Sequence, residues 1–405
     1  MSGSPHDVVF TFSYETWTDA VTRGMMRPPD RLLSRLFDSP AVDRLLVANP
    51  FRWLPSHAVR SLARSQSRFP ATPTRVQHTP LRLRRSDPEG VSAVARDYRA
   101  YDRSLERASK QLGQTDPVVI SANPIIAGFA PFDWAAGTTF YARDDWLSSP
   151  ARQGYWPAYR EAYRRIAARG LGVAAVSAQV LERINPQGPS AVVPNGVEPA
   201  EWQGPVPPEP AWLAGIPRPR ALYVGTLDSR LDVDGLATLA RRRPDLSIIL
   251  LGPQPEGGYL AAINGIRSIS VHPSVGRTEL VAAMRNVDVC LLAHRATPLT
   301  EAMSPLKVYE YLAAGCPVLA IDLPPVRRID ERVLLTSTVA DFADRLDEAL
   351  ALGPAAEAER LRFVSENSWA SRHLRILGTA WAAAGLDFPS MEHPVSPTVE
   401  SEGQR

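Results

Sequence analysis

Short apolar runs alternate with longer amphipathic stretches along almost the whole chain. In the first half, Val8–Phe12, Leu45–Ala48, Val118–Ser121, Thr138–Ala142 and Gly172–Ser177 read as strands. Between them Val91–Leu112 and Trp156–Arg169 repeat apolar residues at helical spacing. A proline-rich, weakly periodic stretch follows over 199–219. A second series then begins, with strands at Ala221–Val224, Ser247–Leu251, Ser268–Val271, Val287–Leu292 and Val318–Ile321 and helices at Leu231–Arg242, Arg277–Asn286 and Leu306–Ala314. Helical stretches over 338–352, 354–366 and 368–384 close the pattern. Four- to six-residue apolar strands alternating with helices predict parallel sheets covered on both faces. The fold class expected is therefore α/β, with two Rossmann-like domains facing across a cleft. The boundaries are 1–198 for the N-terminal domain, 199–219 for a linker and 220–367 for the C-terminal domain. A final helix over 368–386 crosses back to the first domain, and a polar tail over 387–405 is expected to be disordered.

Composition narrows the class. The 405 residues carry 45 basic and 43 acidic side chains, a net charge of +2, so no global basic field marks a polyanion binder, and no nucleic-acid partner is expected. Two cysteines, Cys290 and Cys316, are too few for a disulfide scaffold and sit in apolar strand contexts, which predicts a reduced, cytoplasmic protein. No secretory leader or membrane-spanning run is read in the sequence, leaving peripheral contact at the inner face of the plasma membrane as the one membrane expectation. All but two of the basic residues are arginine, the exceptions being Lys110 and Lys307. A lysine inside a dense motif therefore invites the question of what a compact ammonium does there.

Several chemistries lack their motifs. No G-x-G-x-x-G follows the first strand, and no Gly-Lys-Ser/Thr loop, His-Glu-x-x-His or Gly-x-Ser-x-Gly elbow occurs. The seven histidines form no i, i+3 or i, i+4 pair, so no metal site is expected.

The densest chemistry lies in Ser304-Pro-Leu-Lys-Val-Tyr-Glu-Tyr-Leu-Ala-Ala-Gly-Cys-Pro-Val318. Ser304 reads as an N-cap and Pro305 as the first turn of a helix that Gly315 ends. Lys307 and Glu310, three residues apart, share a face near its start. Open backbone N–H groups plus an ammonium attract phosphate, and a carboxylate one turn on accepts two ribose hydroxyls. The alternative for that pair is a solvated surface ion pair.

That segment resembles the donor-site signature of GT-B nucleotide-sugar glycosyltransferases, Pro-x-Lys-x-x-Glu-Tyr-x-Ala-x-Gly-x-Pro-Val. Val193-Pro-Asn-Gly-Val197, Tyr223-Val-Gly-Thr-Leu227, Ile249-Leu-Leu-Gly-Pro253 and Asn367-Ser-Trp369 resemble, in order, further segments of the same family. The resemblance covers roughly 190–385 well and the N-terminal half loosely. It implies that Met303, Ser304, Lys307, Glu310, Gly225, Thr226 and Gly252 hold the donor. Gly225 and Thr226 would let the backbone approach a diphosphate, and Arg230 on the same loop would neutralise its charge, unless it is only a solvated loop arginine. Many retaining members carry a second glutamate where this chain has Ala302, with Glu301 one residue off, so retention or inversion stays open. The Met303–Glu310 pattern is closer to the bacterial exopolysaccharide glucuronosyltransferase and teichuronic-acid-type branch.

In the N-terminal half, Tyr141-Ala-Arg-Asp-Asp-Trp146 places paired acids at a strand end. Asp145, narrowly ahead of Asp144, is the candidate base for an acceptor hydroxyl, and the alternative is a capping aspartate beside a solvated one. The motif resembles a stretch of the same branch whose aspartate acts as base in inverting members. Glu15 and Trp17 on the first loop are candidate acceptor contacts, with packing the alternative for Trp17. From Arg44 to Ser86 no acidic residue occurs, and eight arginines with interleaved aromatics over 51–86 suit an anionic membrane, a lipid-linked saccharide acceptor or a solvated face. The function expected is transfer of a sugar from a nucleoside-diphosphate sugar, UDP-linked, to an acceptor hydroxyl in envelope or exopolysaccharide assembly. The expected enzyme needs no metal and no cofactor. The alternatives are a nucleotide-sugar 2-epimerase of the same fold and an inactive scaffold.

Overall fold

The computed structural model describes residues 4–54, 69–254 and 257–388. Two parallel sheets organise it. The first has seven strands in the spatial order Arg75–His78, Val42–Ala48, His6–Thr11, Val118–Ser121, Gly137–Ala142, Gly172–Ala175 and Ser190–Val192. The second has six, in the order Ile269–His272, Ser247–Leu251, Arg220–Val224, Val289–Leu292, Val318–Ile321 and Val333–Thr336. Every strand pairing in both sheets is parallel. The central strands are buried on both faces, as their near-continuous Val, Ile and Leu require. Arg52–Trp53 and Leu81–Arg82 pair as a small separate sheet.

Besides the two strands of that small sheet, three strands of the large sheets escape the hydrophobic pattern. Arg75–His78, mostly polar, and the three-residue Ser190–Val192 are the half-buried or exposed edges of the first sheet, and Val333–Thr336 alternates in burial at an edge of the second. The stretch 199–219 is not a plain linker: it forms two short helices, Pro199–Trp202 and Ala211–Ala214, and buries Trp202 completely. Both cysteines are buried free thiols.

The helix Trp369–Ala383 leaves the second sheet and packs on the first, where Trp381 is fully buried. Glycines make room for it. A Cβ at Gly137 would meet the Ala383 carbonyl at 2.5 Å, and one at Gly172 would lie 2.8 Å from the Ala383 Cβ. The two domain crossings are stitched together, with Val197 N donating to Asn367 O and Trp369 N to Val197 O, both at 2.9 Å. Within the stretch expected to be a disordered tail, Phe388 packs edge-on against Trp381; residues 389–405 lie outside the described residues.

Within the arginine-rich segment, 55–68 lies outside the described residues. The aromatics at its ends turn inward, Phe51 onto Tyr98 and Tyr101 and Phe69 onto Trp17 and Phe37. Arg75 is spent on the Phe37, Val42 and Asp43 carbonyls, and Arg82 on Asp87. Among the described residues no helix is long and apolar enough to cross a membrane.

Candidate active site

Where the carboxyl ends of the two sheets face each other, the strand Arg220–Val224 runs into Gly225 and the strand Ser247–Leu251 into Gly252. The two turns touch: Gly225 N donates to Leu251 O at 3.0 Å. Both glycines have positive φ, +142° and +153°. A Cβ at Gly252 would sit 2.0 Å from the Gly225 carbonyl oxygen, and one at Gly225 would sit 2.7 Å from the Lys307 Nζ. Only glycine fits either position.

Lys307 is carried on the helix Leu306–Ala313, whose Tyr311 hydroxyl accepts the Val224 N–H at 2.8 Å and so fixes helix to strand end. Its ammonium stands 3.9 Å from the centre of the Tyr223 ring and 3.1 Å from His294 Nε2. Burial, with the Arg230 guanidinium nearby, lowers its pKa to about 7. Burial, then Lys307 and Arg230, hold His294 well below the usual histidine range, so the imidazole is neutral, and among the described residues its Nδ1 has no partner.

Ser304 does not cap this helix. Pro305 occupies the N-cap position and no side chain caps the first turn. The Ser304 hydroxyl instead accepts Asn195 N at 3.0 Å and its carbonyl accepts Asn195 Nδ2 at 2.7 Å. Ser304 thus ties the donor segment to the N-terminal domain, and the helix start is left open. Met303 ends a short helix, Pro298–Ala302, whose Ala302 carbonyl accepts the Ser177 hydroxyl at 2.6 Å; Glu301 on it is exposed.

Lys307 and Glu310 serve different neighbours. Glu310 accepts Arg277 Nη1 at 2.6 Å, while the other edge of Arg277 holds Glu201 and Glu201 accepts Arg31 Nη2 at 3.0 Å. Burial raises the Glu310 pKa against the pull of Arg277. Sequence reasoning missed Arg277. It opens a helix after an uninformative loop, and no motif marks it. Arg230 uses Nε and Nη2 on Asp228, at 2.9 and 2.7 Å, which neutralises much of its charge before any ligand arrives. Thr226 is half-buried on the same loop.

Across the cleft, the two aspartates differ sharply. The Asp145 side chain is 1% exposed, pairs with Arg183 and Ser148, and accepts Leu147 N at 3.2 Å, so it organises its own loop and offers no face to the cleft. Asp144 is 50% exposed, 3.1 Å from Arg143 Nη1, and feels the field of Arg230 from the opposite domain. Its removal from bulk water raises its pKa, Arg143 opposing. Glu15 accepts Arg27 Nη1 at 2.6 Å and Arg143 Nη2 at 3.1 Å. Burial would lift its pKa, but Arg143, Arg27 and two backbone N–H groups hold it below the usual value. Trp17 is buried, stacked edge-on against Phe69 at 4.9 Å, with its backbone N–H on Asn49; it packs the core and does not line the cleft. Among the described residues no three His, Cys, Asp or Glu side chains cluster to hold a metal ion.

Comparison with known proteins bears on the fold and on the C-terminal domain. Residues 218–351 match the family model described as glycosyl transferases group 1. TuaH of Bacillus subtilis (strain 168), provisionally named a teichuronic acid biosynthesis glycosyltransferase, is 25% identical over 111 residues. That alignment takes in 27% of this chain and only 28% of that protein. Among solved structures, an α,α-trehalose 6-phosphate synthase from Burkholderia multivorans superposes with a TM-score of 0.63 at 13% identity, over 94% of this chain and 99% of the other. Anabaena HepE, in complex with UDP and glucose, gives 0.59 at 14% identity over 92% and 99%. Residues 218–351 thus match the glycosyl transferases group 1 model, and the whole chain shares the two-domain fold of these solved structures.

Proposed function

We propose that this protein is a glycosyltransferase that moves a sugar from a nucleoside-diphosphate donor, UDP-linked, to an acceptor hydroxyl in envelope or exopolysaccharide assembly. The observation that carries the reading is the buried Lys307 ammonium beside Gly225 and an uncapped helix start. Such a pocket suits the diphosphate of the donor and stabilises it as it leaves. Glu310 would take the ribose hydroxyls. In the transfer the acceptor oxygen bonds to the anomeric carbon while the bond from that carbon to the diphosphate oxygen breaks. The electron pair departs with the diphosphate, and the acceptor proton passes to Asp144, the acid that faces the cleft. Lys307, the helix start and the free edge of Arg230 supply the positive charge, so the reaction is proposed to need neither metal nor cofactor.

The UDP assignment draws on HepE and on an Escherichia coli structure bound with UDP-2-fluoro glucose, and the envelope assignment on TuaH. Peripheral contact with an anionic membrane has a separate support. Leu54, Leu81 and Leu83 are exposed beside the exposed Arg84 and Arg85. Co-sedimentation with anionic vesicles, abolished by Leu83→Ser with Arg85→Ser, is the expected result.

The donor site is tested by titrating UDP, GDP, ADP and TDP into wild type and Lys307→Ala, with and without magnesium. One nucleotide should bind without magnesium and lose affinity in the variant. Unchanged affinity in Lys307→Ala overturns the assignment, and an epimerised nucleotide sugar formed from donor alone overturns the transferase reading.

A further inference from the structure

A cavity of about 610 Å³ opens between the domains, beside Arg230. The N-terminal domain contributes the loop that follows Asp144 and Asp145, then Pro150, Trp156, Arg160 and Arg183; the C-terminal domain contributes Arg230 and Leu299. Among the described residues no carboxylate lines it. Two of its three arginines are already neutralised, Arg183 by Asp145 and Arg230 by Asp228. Arg160 is different. Among the described residues it has no carboxylate partner, and its guanidinium lies 6.0 Å from the centre of the Trp156 ring. The wall therefore holds one positive charge without a counter-ion, next to an aromatic face and apolar surface.

We infer that this cavity is the acceptor subsite and that it takes a sugar bearing a negative charge, either a phosphate or a carboxylate. The inference rests on the transferase reading above and names the class of its second substrate. An indole face suits the C–H surface of a pyranose ring, and a fork of N–H donors suits a carboxylate or phosphate. A neutral sugar would cover part of the exposed Arg160, displacing water from its charge with nothing in return. A charged one supplies the missing partner. Because the Asp144 carboxylate feels Arg230 and adjoins the loop that forms the wall, a sugar seated here presents a hydroxyl on the side of the proposed base.

The full chain, with and without saturating UDP, is titrated with glucose 6-phosphate, glucuronate, glucose and inorganic phosphate. The expected result is that at least one charged sugar binds about tenfold more tightly than glucose, and that Arg160→Gln removes this preference while Arg160→Lys keeps most of it. UDP affinity should be the same in both variants. The phosphate and carboxylate arms separate the two chemistries. Equal affinity for glucose and its charged derivatives, no binding of any sugar in the millimolar range, or inorganic phosphate binding as tightly as glucose 6-phosphate overturns the inference while leaving UDP binding intact. Failure of UDP itself to bind overturns the transferase reading, and this inference with it.

Discussion

The Lys307 ammonium nitrogen lies 3.1 Å from Nε2 of His294, a buried imidazole held neutral by its surroundings. Neither residue supplies a negative charge to the other, so the pair is poised to receive an anion. The pKa of Lys307 falls from 10.5 to about 7 on folding. Between those values the unfolded chain binds more protons than the folded one, so this group makes stability rise with pH across that window. Below about pH 7 it costs a constant amount. A bound diphosphate favours the ammonium and raises the pKa again. At about pH 8 nucleoside-diphosphate binding should therefore take up close to one proton. Calorimetry in buffers of different ionisation enthalpy checks this, and Lys307→Arg, whose guanidinium stays charged, should take up none.

The neighbouring aspartates should separate function from folding. Asp144→Asn should lower kcat by about 10²- to 10⁴-fold with little change in donor affinity or in the denaturant midpoint. Asp145→Asn should do the reverse. It strips the partner from Arg183 and Ser148 in a buried loop and should cost on the order of 2 kcal/mol of stability while the surviving folded protein keeps most of its turnover. Steady-state kinetics beside urea unfolding reads both. A large loss of kcat in folded Asp145→Asn would reverse the assignment of the base.

The paired glycines make a second contrast. Gly252→Ala drives a methyl onto the Gly225 carbonyl, which is backbone and cannot yield, and should destabilise the C-terminal domain by roughly 3 kcal/mol or more. Gly225→Ala meets the end of the Lys307 side chain, which can move. It should cost less stability yet displace the ammonium and weaken nucleotide binding about tenfold. Thermal unfolding with and without UDP distinguishes the two.

Much of this arrangement is legible in the sequence because both sheets are parallel. Val318–Ile321 is apolar at every position and Val118–Ser121 and Ser247–Leu251 at all but a terminal serine, and a run buried on both faces announces itself. Edge strands such as Arg75–His78 do not, because solvent on one side permits polar residues. Within the site, Gly225 and Gly252 each follow an apolar strand, and Lys307 stands in a dense motif. His294 and Arg277 do not, since what each touches is decided by sheet adjacency and by a helix from another segment. The sequence favours Asp145 only narrowly over Asp144. Arg183, 38 residues downstream, is what sequesters Asp145. Ser304 looked like a cap because its sequence context is that of one; Asn195, brought close only by the domain packing, claims it instead.

Glu310 and Lys307 sit one helical turn apart but face different partners, Arg277 for the carboxylate and Tyr223 with His294 for the ammonium. If the carboxylate reads the ribose and the ammonium the diphosphate, their variants should respond to different parts of one ligand. Glu310→Gln should weaken UDP by about tenfold while leaving inorganic pyrophosphate unaffected. Lys307→Ala should weaken both to a similar degree. Because Glu310→Gln also loosens Arg277, which remains held by Glu201, the measurement includes Arg277→Met. That variant frees Glu310 from its present partner but leaves two carboxylates close together, and it should weaken UDP and spare pyrophosphate as Glu310→Gln does. Competition binding with the two ligands on the three variants reads the pattern. Loss of pyrophosphate binding in Glu310→Gln would place that carboxylate in the electrostatics of the diphosphate pocket rather than at the ribose.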